Sequence, residues 1–289
     1  MIFSYGVTQQ GYYHIKNNTP CQDAHEFKLV NDKIAIGAVA DGLGSELYSD
    51  VASKIAASES VKYCSENIAF PNEIESVLAI IKQSFTKALE TIENVACENG
   101  HPLDQYDTTL ALAIYHNGTV YYGNSGDSGI VVMNTNGTFE SITEQQRDEN
   151  GCVFPLCFGE ECWEFGTKQN VASVFLATDG MYETLFPYLL RGENIEIYVN
   201  LAYYIMSNES LGFTSKNQSD VVQRMENFIA SIPGEQVSDD KTALVMLDDA
   251  QTVQKQDKAY YKTPDWVALK KKRDEEYKRK AYPHLFGDE

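Results

Sequence analysis

Five short acidic motifs hold the residue types that could do chemistry in this chain. They are Cys21-Gln22-Asp23-Ala24-His25, Ala40-Asp41-Gly42-Leu43-Gly44, Gly126-Asp127-Ser128, Ala177-Thr178-Asp179-Gly180 and Ser238-Asp239-Asp240-Lys241-Thr242. Each lies at or beside the end of an apolar run that reads as a strand. One Asp-Gly after a strand is usually only a turn. Several such carboxylates can converge on one edge of a sheet, where they repel unless cations sit between them. Hard oxygen ligands of this kind suit Mg²⁺ or Mn²⁺. Glycine after Asp41 and Asp179 lets backbone approach closely, and a carbonyl there can also be a ligand. Cys152, Cys157 and Cys162 are evenly spaced, but their spacing does not match common zinc sites. There is no GxxxxGK[ST] run and no GxSxG elbow.

The elements that must position these residues are strands alternating with helices. Strands are predicted at Lys33–Ala40, Thr108–His116, Thr119–Gly123, Gly129–Met133, Thr138–Ile142, Ser173–Ala177 and Thr242–Leu247. Asn117-Gly118 and Asn136-Gly137 each separate two of them. Asn-Gly favours the left-handed residues of a two-residue hairpin, so both pairs are predicted to be antiparallel. Residues 73–97 place Ile74, Val77, Leu78, Ile81, Phe85, Ala88, Leu89, Ile92 and Val95 at three- and four-residue spacing, the stripe of an amphipathic helix. Pro71-Asn72 is its start signal. Further helices are predicted over 49–66, with Ser49 as cap, 193–207 and 219–231. Hairpins with long helices point to α+β, with antiparallel sheets covered by helices, rather than a doubly wound parallel fold.

The composition narrows the function classes. With 43% hydrophobic residues the 289-residue chain can bury a sizeable core. Its net charge of -19 argues against a nucleic-acid or anionic-membrane partner, since both need positive surface. No run approaches the ~20 apolar residues of a membrane span, and Met1–Gln10 does not read as a secretory signal. The cysteines then read as reduced thiols and the protein as cytoplasmic. Charge is uneven along the chain. Residues 250–289 hold ten Lys+Arg against seven Asp+Glu, whereas 1–249 hold 13 against 35. The chain therefore divides into an acidic body, 1–249, and a basic helical tail, 250–289, starting near Thr263-Pro264-Asp265. The tail reads as a surface helix docked through Trp266, Leu269, Tyr277 and Tyr282.

The ordered set QDA, ADGLG, GDS, ATDGMYE and DDKT resembles the metal-dependent Ser/Thr protein phosphatases of type 2C (the PPM family). It covers residues 1 to about 249, and Pro20-Cys21-Gln22-Asp23-Ala24 is similar to the bacterial branch. Thr108-Thr109-Leu110 also resembles the family's strand before GDS. The resemblance implies a four-layer αββα sandwich, two packed antiparallel sheets flanked by helices. It implies hydrolysis of phosphoserine or phosphothreonine in proteins by a metal-activated water attacking phosphorus directly, with no phosphoenzyme. It implies two Mn²⁺ or Mg²⁺ ions, bridged by Asp41, with the carbonyl of Gly42, Asp179 and Asp239 as further ligands. Asp127 with Asp179 would make a third, weaker position, and Asp23 would orient metal waters. The implied partner is a phosphoprotein of a Ser/Thr kinase pathway, with no nucleic acid and no membrane.

Three departures from the family pattern stand out. Asn18 occupies the position of a phosphate-gripping Arg, with Lys16 or His14 as nearby substitutes that lack Arg's bidentate fork. Leu43 stands where many members have His, so His14 becomes the candidate proton donor to the leaving alcohol. Ser45 replaces the second glycine of DGxGG. The segment 144–170, with Arg147, Pro155 and Trp163, corresponds to a substrate-facing flap and is unusual in sequence. Asp50, Asp104, Asp107 and Asp240 read as caps or turn residues. Two alternatives stay open from the residues alone: a pseudophosphatase of the same fold that binds phosphoproteins or partners, and a small-molecule phosphohydrolase.

Overall fold

The computed structural model describes residues 1–70 and 72–282. The chain runs β1 (Ile2–Gln9), α1 (Tyr12–Asn17), β2 (Asp23–Asn31), β3 (Ile34–Asp41), α2 (Ser49–Asn67), α3 (Ile74–Asn99), β4 (Leu110–His116), β5 (Thr119–Ser125), β6 (Gly129–Asn134) and β7 (Phe139–Ser141). It continues through β8 (Glu164–Gln169), β9 (Val171–Ala177), α4 (Asp179–Leu185), α5 (Val199–Met206), α6 (Asn208–Leu211), α7 (Gln218–Ser231), β10 (Lys241–Asp248) and α8 (Trp266–Ala281). The strands form two sheets, ordered β1-β10-β9-β6-β7 and β2-β3-β4-β5-β8. Every neighbouring pair is antiparallel. The fold is α+β, as expected.

Strand alternation builds the layers. Ala35, Val39, Ala111 and Ala113 of one sheet meet Ile130, Val174, Leu176 and Leu244 of the other in the middle of the sandwich. The intervening residues Ile36, Ala38, Leu112 and Ile114 face α2 and α3. Val131, Phe175 and Val245 face α4, α5 and α7. Both faces of the central strands are thus covered, which is why β3, β9 and β10 are apolar runs rather than alternating ones. In α3, Val77, Ile81, Phe85, Ala88, Ile92 and Ala96 are the buried stripe, whereas Ile74 is exposed. Its expected start residue Pro71 lies outside the described residues.

Several local expectations need correction. The strands β1, β2 and β8 carry no apolar run that would announce them. All three are edge strands, diluted by Ser4, Gly6 and Thr8, by Glu26 and Lys28, and by Thr167 and Lys168. The turn Asn117-Gly118 is the expected two-residue one, with φ of 47° and 78°. Asn136-Gly137 is not. There the Asn134 N–H donates to Thr138 O and only Gly137 is left-handed, so the loop has three residues. Ser49 is the first helical residue of α2 rather than its cap. Its hydroxyl donates to Glu46 O and accepts from Gln22 Nε2 at 2.6 Å. The helix expected over 193–207 shrinks to α5, because Gly192 turns left-handed and its N–H is held by Glu196.

After β10 the chain stays on the body. Val253, Tyr260 and Tyr261 pack against the outer core, and Tyr260 Oη accepts from Phe139 N–H at 2.9 Å. The helix α8 is capped by Asp265, whose Oδ1 accepts from Ala268 N–H. Trp266 meets Tyr198 edge-on at 5.1 Å, and Lys272 and Arg273 reach Glu193. The docking side is therefore Trp266 and the half-buried Leu269. Tyr277 and Tyr282 are exposed instead. Among the described residues no helix is long and apolar enough to cross a membrane.

Candidate active site

The registers bring the acidic motifs to one end of the sandwich. Asp23, which opens β2, sits directly opposite Asp41, which closes β3. Ala177 at the end of β9 pairs with Gly129 of β6 on one side and Ala243 of β10 on the other. Asp127, Asp179 and Asp239 therefore emerge from three adjacent strand ends. Together with Asp41 and Gly42 they line a cleft of about 360 Å³, joined by His14 and Arg147. Asp23 lies beneath, fully buried, and accepts from Thr178 Oγ1 at 2.7 Å.

Hydrogen bonds pin the loops that carry these groups. Asp41 N–H donates to Thr109 Oγ1 at 2.9 Å, and Thr109 N–H donates back to Asp41 O at 2.8 Å. The Thr109 hydroxyl also meets Ser128 Oγ, tying the Asp127 turn to the same strand. Gly42 N–H donates to Gln22 O, and a Cβ on Gly42 would stand 2.5 Å from Ser49 O. Only glycine fits there, whatever its φ. Asp240 was expected as a turn residue, but it is a buried clamp. One of its carboxylate oxygens accepts from Gly11 N–H and the other from Gln22 N–H, each at 2.6 Å. His14 Nδ1 stands 2.8 Å from Asp240 Oδ2 without the alignment of a hydrogen bond, and the buried imidazole lines the cleft wall.

Asn18 and Lys16 do not line the cleft. The helix α1 ends at Asn17, Asn18 caps it in the left-handed region at φ 55°, and both side chains are exposed. The guanidinium in the cleft is instead that of Arg147. Its loop folds back on itself through Asp148, whose Oδ1 accepts from Asn150 and Cys152 N–H groups, and Gln146 is tied to Gly126 in both directions. Arg147 Nη2 thereby reaches Asp127 Oδ2 at 2.5 Å and Asp179 Oδ2 at 3.1 Å. Spacing along the chain aims no side chain of segment 144–170 at the other motifs. Thr178 and Asp240 could have been marked from their places inside ATDG and DDKT.

The electrostatics are those of acids held together with one guanidinium, that of Arg147, against two of them. Burial pushes the Asp41 carboxyl well up, and Asp23, Asp179, Asp127 and Asp239 around it push further. Burial likewise raises Asp23 against the opposing Thr178 hydrogen bond. Asp127 is raised by burial despite Arg147 beside it. Asp179 is pushed up to about 7, by burial first and then by Asp127, Asp239 and Glu183. Its Oδ1 is buried without a hydrogen-bond partner, while Oδ2 faces Arg147. An orphaned carboxylate oxygen among further carboxylates fits a hard divalent cation, and beside it the ligand atoms of His14, Asp239 and Asp240 lie within 4.8 Å of one another. The exposed Asp239 adds a carboxylate at the cleft rim.

Comparison with known proteins gives the same direction. A family model described as protein phosphatase 2C matches residues 10–209. The serine/threonine phosphatase Stp1 from Staphylococcus aureus shares 16% identity at a TM-score of 0.58, with 86% of this chain covering 95% of that one. The catalytic domain of the serine threonine protein phosphatase PstP, solved in complex with two manganese ions, shares 15% at a TM-score of 0.56, covering 85% and 97%. RsbX, solved in complex with magnesium, shares 14% at a TM-score of 0.51, covering 85% and 94%. At these identities the likeness is one of fold. No curated protein matches the chain in sequence.

Proposed function

The chain belongs to the protein phosphatase 2C family, and from that premise we propose that it hydrolyses phosphoserine and phosphothreonine in proteins with Mn²⁺ or Mg²⁺ at the Asp41 cleft. The observation that carries the proposal is the meeting of Asp41, Asp127, Asp179 and Asp239 in one cleft, with Asp179 Oδ1 buried and unpartnered. Asp41, the Gly42 carbonyl, Asp179 and Asp239 would hold two such ions, and Asp127 with Asp179 would hold a third. Bound there, the ions would supply an acidified water and neutralise the phosphoryl oxygens. The manganese and magnesium in the PstP and RsbX structures support this choice of metals.

The chain's own groups do the rest. Asp23, fixed by Thr178, is an acceptor that orients water at the floor of the cleft. His14, beside Asp240 at the cleft wall, is the group to give a proton to the leaving alcohol. Arg147 takes the phosphate-gripping role expected of Asn18 or Lys16. Its guanidinium, which pairs with the Asp127 and Asp179 carboxylates, would pair with phosphoryl oxygens in the same cleft. The partner is accordingly a phosphoprotein made by a Ser/Thr kinase. The test is release of phosphate from a phosphothreonine peptide with Mn²⁺, beside an EDTA control and Asp41→Asn. Turnover that needs metal and vanishes in the variant is expected. A folded, metal-loaded wild type without turnover would overturn the proposal in favour of a binding module.

A further inference from the structure

A second, larger groove opens from the cleft. It encloses about 1120 Å³ and shares Asp179, Ser238 and Asp239 with the smaller site, so a chain threaded through it passes the acidic cluster. One part of its wall is α4 and the loop after it, with Tyr182, Phe186 and Tyr188. Another is the start of α8, where Trp266 rests edge-on against Tyr198. Glu144, Glu183 and Glu196 add exposed carboxylates, and Arg191 is the sole cationic side chain on the lining. Arg191 stands 5.8 Å from the Tyr188 ring, so the wall already accepts a guanidinium against an aromatic face. Tyr188 is 63% exposed and keeps surface available to a second one.

Resting on the phosphatase reading above, we propose that this groove binds the segment flanking the phosphorylated residue, and that it selects segments bearing Arg or Lys. Two observations carry this. The groove is continuous with the proposed reaction site, and its charge is complementary to a cationic chain, as is that of the strongly acidic body around it. The basic tail then has a defined part: through Trp266 it completes one wall of the groove, held in place by Lys272 and Arg273 on Glu193. Trp266 is thus a specificity residue outside the smaller acidic cleft.

The test uses the full chain with Mn²⁺ and two fluorescent peptides that carry a hydrolysis-resistant phosphonate. One is flanked by Arg and Lys, the other by Asp and Glu. Fluorescence anisotropy is expected to give about tenfold tighter binding of the basic peptide, a preference that shrinks at high salt. Trp266→Ala and Glu144→Lys are each expected to weaken the basic peptide severalfold and leave turnover of p-nitrophenyl phosphate unchanged. Equal affinity for both peptides, or a preference untouched by either variant, would overturn the inference. So would self-association that the basic peptide fails to compete, because a second copy would then fill the groove. Failure of the phosphatase reading shows separately, as absent p-nitrophenyl phosphate turnover.

Discussion

Replacing Asp179 by Asn is expected to stabilise the metal-free protein above neutral pH while removing its response to Mn²⁺. Folding moves this carboxyl from 3.8 to about 7. The native state keeps the proton up to about 7, whereas the unfolded chain releases it near 3.8. The native state therefore binds more protons in that window, and stability falls as pH rises through it. Over those three or so pH units the loss is about 4 kcal/mol, fully present above pH 7 and nearly absent at pH 4. Asn does not titrate and escapes it. The variant also loses the contact of Asp179 with Arg147, a side chain 34% exposed. The attraction of the ionised carboxylate to Arg147 is already contained in that shift, and the contact of the neutral carboxyl is worth at most about 1 kcal/mol, so the relief wins by about 3 kcal/mol. For a chain of this size that corresponds to roughly 6–12 °C in Tm. The assay is thermal unfolding in EDTA at pH 4.5, 6 and 8, wild type against variant. The gap should be near zero at pH 4.5 and open progressively to pH 8. Saturating Mn²⁺ should then raise the wild-type Tm and leave the variant where it was. A variant no more stable than wild type at pH 8, or a gap that does not change with pH, would refute the reasoning.

Other consequences are equally direct. Arg147→Ala should raise KM for a phosphopeptide about ten- to a hundredfold, because a charge-assisted contact of about 1.5–3 kcal/mol is lost, with Arg147→Lys intermediate in steady-state kinetics. Gly42→Ala puts a Cβ 2.5 Å from Ser49 O and 2.6 Å from its carbonyl carbon. It should cost about 1–3 kcal/mol in denaturant unfolding and lower Mn²⁺ affinity in a calorimetric titration. Asp240→Ala leaves the buried N–H groups of Gly11 and Gln22 without acceptors, at about 1–3 kcal/mol each in urea denaturation. It also removes the carboxylate beside the His14 ring, so it should lower kcat for poor leaving groups more than for p-nitrophenol.

The legible parts of this molecule share a local cause. The strands β3, β4, β9 and β10 could be read because their covered faces demand unbroken apolar runs, and α3 because one stripe faces the sheet. The hairpin at Asn117-Gly118 follows from backbone sterics alone. The strands β1, β2 and β8 were hidden because a sheet edge tolerates polar residues. Asn136-Gly137 misled because a left-handed Gly serves two loop lengths. The acidic residues that now line one cleft were all visible as motifs at strand ends. Their partners stood in plain view, Thr178 within one of these motifs and Thr109 in Thr108-Thr109-Leu110, but nothing local assigned them hydrogen bonds to Asp23 and Asp41.

What sequence determined by itself is therefore the donor chemistry: carboxylates and a glycine at strand ends, oxygen ligands without a zinc pattern, in an order that marks the family. Those properties are carried by residue type and neighbouring residues, so no folding is needed to see them. Tertiary structure alone decided which side chains face the acids. It turned Asn18 and Lys16 outward at the end of a short helix and brought Arg147 in on a folded-back loop. It buried Asp240 against two amides more than two hundred residues away, and it set Trp266 of the basic tail into the groove beside the cleft. Such placements depend on sheet register and loop closure, sums of contacts over the whole chain, and no window of sequence contains them.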